Sequence, residues 1–396
     1  MNVVASSPEG LEKSLAEEIS NLGGFNINTY KRFINFECDF ETFYRVHFYS
    51  RLAFRFYREI ASFNCYDKQS LYAGVRDSFD WLNWLHFDKT FNVQVTGRTS
   101  SLSHTHFTAL EVKNSITDLQ QEVWNKRSNI SLDNPDFIIH LHLNNNKAIL
   151  SLQSSIESLH KRGYRPAIGN APLKENLASG LINMTQWNGK VPLIDFMCGS
   201  GTFLIEAVNQ YLGVPINIDQ VYLFENWLDF RKDIYLNEKN KAKNKIINYE
   251  KLPTIIGCEI NKKVFEQANV NISLAGLENY IELINNDFLA LQLSCTPGII
   301  ICNPPYGKKL GDENELISLY EQMGIFLKNN FSSWEFWLLS GNPKLTKYLK
   351  MQSSLKIPIS NGGIDCRWIN YIFLRIGWTL GKIFILMKKI KQKIKL

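Results

Sequence analysis

Four short apolar runs in the second half of this chain each end in a polar residue, and that repetition limits the fold more than any other feature. Val191 to Asp195 ends in an acid, and Thr254-Ile255-Ile256-Gly257-Cys258 runs into Glu259. Ile281-Glu282-Leu283-Ile284 continues through Asn285-Asn286 to Asp287, and Gly298-Ile299-Ile300-Ile301-Cys302 stops at Asn303. Runs this apolar suit strands buried on both faces of a parallel sheet. Ligands of such sheets bind outside the carboxyl ends of the strands. One acid at a strand end is ordinarily a turn residue or a helix cap. Asp195, Glu259, Asp287 and Asn303 in order instead define a candidate site.

After Asp195 comes Phe196-Met197-Cys198-Gly199-Ser200-Gly201-Thr202, then a helical pattern of Phe203, Leu204, Ala207, Val208 and Tyr211. Strand, glycine turn and helix open a nucleotide-binding α/β unit, and Gly199 and Gly201 let the backbone turn sharply beside a ligand. The full G-x-G-x-x-G is absent, and no basic residue stands in the turn to hold a pyrophosphate. That weakens readings based on NAD or a P-loop and favours a nucleoside without phosphates. Asp195 suits a cationic amino group, Glu259 a ribose diol, and Asp287 an adenine amine with Phe288 as a neighbouring apolar face. Cys198, Cys258 and Cys302 fall at the same edge, but no companion base in sequence supports a nucleophilic role.

Asn303-Pro304-Pro305-Tyr306-Gly307 follows the last of these strands. Two prolines remove backbone donors and fix φ, which leaves carbonyls free to accept. Asn303 adds a side-chain acceptor and Tyr306 a ring with a polar tip. Such a cluster suits a planar group bearing an NH2, either a nucleobase amine or a glutamine amide; the competing reading is a plain Pro-rich turn.

The ordered set from Asp195 to Thr202, Glu259, Asp287 and Asn303 to Tyr306 resembles class I S-adenosylmethionine-dependent methyltransferases that act on exocyclic amines. Ala171 to Ala178 and His160-Lys161-Arg162-Gly163-Tyr164-Arg165-Pro166 resemble segments of the THUMP-domain RNA methyltransferases. Ser360 to Arg367 resembles the C-terminal hairpin of the bacterial 23S ribosomal RNA guanine-N2 methyltransferases, although Gly363-Ile364-Asp365 stands where an alanine and a glutamate are expected.

The resemblance implies an α/β fold: a Rossmann-like class I methyltransferase with a mostly parallel seven-stranded sheet and a C-terminal antiparallel hairpin, behind an α+β module. The implied domains are a ferredoxin-like part (1–55), a THUMP domain (56–155), a catalytic domain (156–380) and a basic tail (381–396). The cofactor would be S-adenosyl-L-methionine, with Asp195, Cys198, Gly199, Gly201 and Thr202 around its methionine part, Glu259 at the ribose and Asp287 at the adenine. Asn303, also near the cofactor, and the Pro304 carbonyl would accept from the target amine, with Pro305 holding the turn and Tyr306 stacking on a flipped base. Lys161, Arg162, Tyr164, Arg165 and Arg98 would contact RNA; no metal is expected. The partner is ribosomal RNA, 23S or its precursor particle, with neither a membrane nor an obligatory protein partner evident.

At 396 residues the chain suggests two or three domains, and 45% hydrophobic content suffices for packed cores. Seven scattered cysteines without a CxxC pair argue for a reducing, cytoplasmic setting. The N-terminus lacks the basic and apolar regions of a signal peptide. The apolar stretch from Trp368 to Met387 contains Arg375 and Lys382, costly in a bilayer, and Tyr371 to Gly377 reads better as a last antiparallel strand. The net charge of +6 equals the six lysines of residues 382–396, which no acid accompanies. Such a lysine run is ordinarily a solvated end, a reading favoured here over RNA contact.

Residues 1–150 read as a separate α+β unit. A helix carries Leu11, Leu15, Glu18 and Ile19, and another spans Phe107 to Trp124. Asp136 to Leu143 and Lys147 to Gln153 read as a hairpin. His140 and His142 share a strand face without a third ligand at suitable spacing and read as a satisfied pair of surface histidines rather than a metal site, as do His104 and His106. Tyr222, Phe224, Trp227 and Phe230 mark an inserted excursion with a core of its own, and residues 231–251 a mobile polar lobe. The reading is methyl transfer to the N2 of a guanine in 23S rRNA. The alternatives are an adenine-N6 methyltransferase on DNA or RNA, a glutamine-methylating enzyme, and a non-catalytic RNA-binding assembly factor.

Overall fold

The computed structural model describes residues 1–165, 173–245, 252–305 and 313–373. They form two compact units. One comprises residues 1–7, 15–159 and 215–245; the other comprises 8–14, 160–214 and the described residues from 252 onwards.

The first unit holds β1 (Asn2–Ser6), α1 (Glu12–Asn21, shared at its start with the second), β2 (Phe25–Tyr30), β3 (Phe33–Glu37), α2 (Phe40–Tyr49) and β4 (Arg55–Asn64). It continues with α3 (Lys68–Asp77), α4 (Trp81–Trp84), β5 (Thr90–Arg98), α5 (Thr105–Trp124), β6 (Asn129–Ile130), β7 (Phe137–Asn144) and β8 (Lys147–Gln153). All eight strands belong to one sheet, in the order β2-β3-β1-β4-β8-β7-β5-β6. Strand β4 pairs antiparallel with β1 on one side and with β8 on the other. The boundary expected at residue 55 therefore falls on a strand common to both halves. The β7–β8 hairpin turns through Asn145 at φ 54°, in the left-handed region that asparagine tolerates.

The second unit is built from α6 (Glu175–Thr185), β9 (Leu193–Asp195) and α7 (Thr202–Leu212); after the chain has contributed α8 (Lys232–Lys243) to the first unit, β10 (Ile255–Cys258) follows. Then come α9 (Lys262–Leu274), β11 (Glu282–Ile284), β12 (Ile299–Cys302), α10 (Glu313–Asn330), β13 (Glu335–Ser340), β14 (Leu355–Asn361) and β15 (Ile364–Ile372). The sheet order is β11-β10-β9-β12-β13-β15-β14. The first five strands run parallel, and β15 is antiparallel to both β13 and β14. Every residue of β9, β10 and β12 is buried, as their unbroken apolar runs require. Ile194, Phe196, Ile300, Phe336 and Leu338 pack with Tyr320, Met323 and Leu327 of α10. The expected seven-stranded class I architecture is thus present. Among the described residues its last strand runs from Ile364 to Ile372 and includes Tyr371, the first residue of the strand expected over Tyr371 to Gly377, whose residues 374–377 lie outside the described residues. Residues 374–396, including most of the apolar stretch and the basic tail, lie outside the described residues. Among the described residues no helix is long and apolar enough to cross a membrane.

Residues 215–245 revise the sequence expectation of a self-contained excursion within the catalytic domain. Their aromatic rings complete the core of the first unit. Tyr222 stacks on Phe224 at 4.7 Å and 10°, and Phe224 meets Phe43 at 5.5 Å, Tyr44 at 5.2 Å and His47 at 5.1 Å, all from α2. Leu223 N–H donates to the Ser154 carbonyl at 2.8 Å. Tyr235 and Glu238 of α8 are buried, and Glu238 pairs with Arg45 at 2.9 Å, so α8 is no loose polar lobe. Residues 246–251, the rest of that lobe, lie outside the described residues. His47 sits 2.6 Å from the Phe43 carbonyl and 2.7 Å from Ser154 Oγ, and burial pushes its imidazole down to about 3. Phe224→Ala should destabilise the protein by about 3–5 kcal/mol, read by urea denaturation. A loss below about 0.5 kcal/mol, the usual range for a surface substitution, would contradict this packing.

Candidate functional site

The strand order of the second unit reverses between β9 and β12, with β10 and β11 to one side and β13 to the other. The carboxyl ends of the strands open a crevice at such a reversal. Asp195 closes β9, directly opposite Ile301 in the register with β12. It is 1% exposed, and its Oδ1 accepts from Met197 N–H at 3.2 Å. Burial pushes its carboxyl up to about 8; the Met197 N–H opposes the shift and the nearby Glu259 charge adds to it.

The turn after Asp195 is held at both ends. Cys198 N–H donates to the Cys258 carbonyl at 2.8 Å, and Gly201 N–H donates to the Cys198 carbonyl at 2.9 Å. Gly199 and Gly201 have φ of 55° and 81°, which side-chain-bearing residues rarely adopt. A Cβ on Gly199 would meet no atom within 4 Å, so the backbone there borders open space. No side chain caps α7. Thr202 is buried, its Oγ1 accepting from Arg165 Nη1 at 3.1 Å.

Glu259, just past β10, reaches across to this turn. Its Oε2 accepts from Gly199 N–H at 3.2 Å and its Oε1 from Asn261 N–H at 2.8 Å. Ile260 beside it is 68% exposed, an apolar surface at a strand end that the sequence reading passed over because it follows the run it belongs to. Asp287 Oδ1 accepts from Leu289 N–H at 3.0 Å. Phe288 is not available as an apolar face for a ligand: it is buried and stacked on Phe196 at 4.9 Å and 18°. Asn303 lies beyond β12 with its Oδ1 buried and without a hydrogen-bond partner among the described residues. Pro304 is buried and Pro305 half-buried. Tyr306 and Gly307 lie outside the described residues. The structure thus brings Asp195, the Gly199–Thr202 turn, Glu259, Asp287 and Asn303 to one sheet edge. A cleft of about 620 Å³ lined by Leu252, Thr254, Glu278 and Tyr280 opens at the opposite ends of β10 and β11.

The thiols of Cys198, Cys258 and Cys302 are buried, and burial raises all three. They act as small apolar residues. The linker departs from its expected role. The side chains of Arg162 and Arg165 are only 2% and 8% exposed, and Tyr164 is buried. These three residues therefore do not present an RNA surface, whereas Lys161 and Arg98 are exposed. On the first unit's sheet, Thr96 Oγ1 lies 3.1 Å from His140 Nε2 and 3.0 Å from His142 Nδ1. The histidines are thus a satisfied pair, as expected, though half-buried rather than on the surface, and burial pushes His140 down to about 4.

A mostly parallel sheet closed by an antiparallel hairpin, with acids at successive strand ends and an Asn-Pro-Pro turn at the reversal, defines an S-adenosylmethionine-dependent class I methyltransferase fold. The comparisons agree. The family described as RMKL-like, methyltransferase domain, matches residues 162–370; a THUMP domain matches 65–153, and an RlmL ferredoxin-like domain matches 2–57. The chain belongs to this family of THUMP-containing, RMKL-like methyltransferases. A Synechocystis sp. protein, provisionally named RNA methyltransferase slr0064, is 36% identical over 93% of this chain and 95% of its own length. The ribosomal RNA large subunit methyltransferase K/L of Syntrophotalea carbinolica is 34% identical over 93% of this chain, but only 53% of its own length is covered. The chain therefore spans about half of that relative. A solved methyltransferase, SMU.472 in complex with SAH, shares the fold with a TM-score of 0.84 at 24% identity, covering 95% of this chain and 98% of its own.

A carboxyl whose folded pKa lies above its unfolded value of about 3.9 contributes stability that is complete below that value. The contribution is lost as pH rises to about 8. Asp195→Asn should therefore gain stability relative to the ligand-free wild type between pH 4 and 8, followed by denaturant titration at each pH. A constant difference across that window would contradict the buried, proton-holding carboxyl.

Proposed function

We propose that this protein transfers a methyl group from S-adenosylmethionine to the exocyclic N2 of a guanine in 23S ribosomal RNA. Asn303 carries the reading. A buried acceptor without a partner is costly unless something donates to it, and the N–H of an amine is a donor of the right size. The Pro304 carbonyl would take the second hydrogen of the same amine. Two acceptors on a proline-stiffened turn fix the plane of the NH2 and turn its lone pair outward. Tyr306 would stack on the base once it has been flipped from its helix.

The donor set fits the cofactor. The Asp195 carboxyl matches the cationic amino group of a methionine, and the uncapped start of α7 suits its carboxylate. Glu259 would take the ribose, although the backbone donors of Gly199 and Asn261 already engage both of its oxygens. Asp287 would meet the adenine amine and Ile260 the adenine face. When bound, S-adenosylmethionine supplies an electrophilic methyl on a sulfonium, itself a good leaving group. The protein then needs to position and polarise the amine rather than deprotonate it strongly, and a near-attack geometry supplies most of the rate.

Three observations support RNA as the substrate: the THUMP match, the relatives' printed names, and exposed Arg98 and Lys161. The choice of large-subunit RNA draws on the printed name of the K/L relative, and the choice of guanine N2 rests on the resemblance of the hairpin alone. Asn303→Ala should lower methyl transfer to ribosomal RNA by roughly two to three orders of magnitude. The affinity for S-adenosylmethionine, measured by calorimetry, should stay nearly unchanged. Retained turnover would remove Asn303 from the mechanism.

A further inference from the structure

Arg162, Tyr164 and Arg165 enter a buried polar cluster between two helices. Helix α7 contributes Thr202 and, one turn on, Glu206; α6 contributes Glu175 and, one turn on, Ser179. Tyr164 Oη donates to Glu206 Oε1 at 2.8 Å, and Ser179 Oγ donates to Glu206 Oε2 at 2.5 Å. Arg162 Nε lies 3.8 Å from Glu206 Oε1. Arg165 Nη2 lies 3.2 Å from Glu175 Oε1, and its Nη1 donates to the Leu173 carbonyl at 2.8 Å and to Thr202 Oγ1 at 3.1 Å. Two guanidinium groups and two carboxylates are thereby enclosed together, with both carboxylates at most 4% exposed.

Charges this deeply buried are costly even when paired. Apolar residues of similar volume would pack α6 against α7 at less expense, so helix packing alone does not account for the cluster. The geometry of Arg165 indicates what else it does. Its planar fork spans an acid on α6, a carbonyl just before α6, and the first residue of α7. Thr202 is also the last residue of the glycine turn, whose Gly199 and Gly201 hold left-handed conformations.

We infer that Arg165 is a positioning residue for cofactor binding, fastening the Gly199–Thr202 turn to α6 through Thr202 Oγ1. The inference rests on the proposed use of that turn to hold S-adenosylmethionine. It reassigns Arg165 from contact with RNA to preorganisation of the cofactor site. A lysine at this position keeps the charge beside Glu175 but lacks the rigid fork that reaches the other two acceptors.

Calorimetric titration with S-adenosylmethionine, filter binding of transcribed 23S RNA and thermal unfolding test the assignment on the full chain. Arg165→Lys should weaken cofactor affinity roughly tenfold, the factor expected for one hydrogen bond to a charged group. RNA affinity and the unfolding midpoint should change little. Thr202→Val, which leaves the Arg165–Glu175 pair intact, should produce the same loss, and the double variant should lose no more than either single one. Additive losses would overturn the coupling. Weakened RNA binding with unchanged cofactor affinity would restore the RNA-contact reading, and a lowered midpoint with both affinities intact would leave only a structural role. If Arg165→Lys does not fold, Thr202→Val decides alone, since unchanged cofactor affinity there overturns the inference. Absence of cofactor binding by the wild type would refute the proposed function itself.

Discussion

Parallel pairing of β9 with β12 is the contact on which the site depends. It places Asp195 opposite Ile301, so that the acid ending one strand and the Asn-Pro-Pro turn ending the other leave the sheet side by side. Separate crossovers then carry the chain to opposite sides, and a crevice of this kind is where ligands of such sheets bind. Every residue of both strands is buried, which fixes this neighbourhood more firmly than any loop could. Glu259 strengthens it from the next strand by accepting from the Gly199 N–H.

Two segments that read as surface are interior. The linker's arginines and tyrosine meet buried carboxylates, and the aromatic excursion completes the core of the sheet unit. The physical reason is the same in both cases. An isolated helix or sheet face with a gap in its packing needs side chains from elsewhere in the chain, and long or aromatic residues fill the gap. Glu206 illustrates the converse. An acid in the middle of the apolar α7 is tolerable only because Tyr164, Ser179 and Arg162 surround it.

The sheet was legible because its strands are apolar without alternation, and the site because strand ends are short and carry their chemistry in order. The partners of each buried charge were not legible. Nothing in the spacing of Arg165 and Glu175 announces an ion pair, and a cation beside an aromatic reads equally as a nucleic-acid contact. Likewise, Phe224 sits in an aromatic-rich stretch far in sequence from α2, so its own neighbours describe an excursion while its contacts make it core. Phe288 was misread for a related reason: adjacency to Asp287 suggested exposure, whereas it opens a short 3-10 turn capped by Asp287 and its ring stacks inward on Phe196.

The central claim is that the Asn303 turn receives an exocyclic amine. Incubating unmodified large-subunit RNA with the protein and isotopically labelled S-adenosylmethionine, then digesting to nucleosides for mass spectrometry, tests it most directly. The account predicts label in N2-methylguanosine. Label confined to a ring nitrogen, a ribose hydroxyl or a carbon of the base would contradict it.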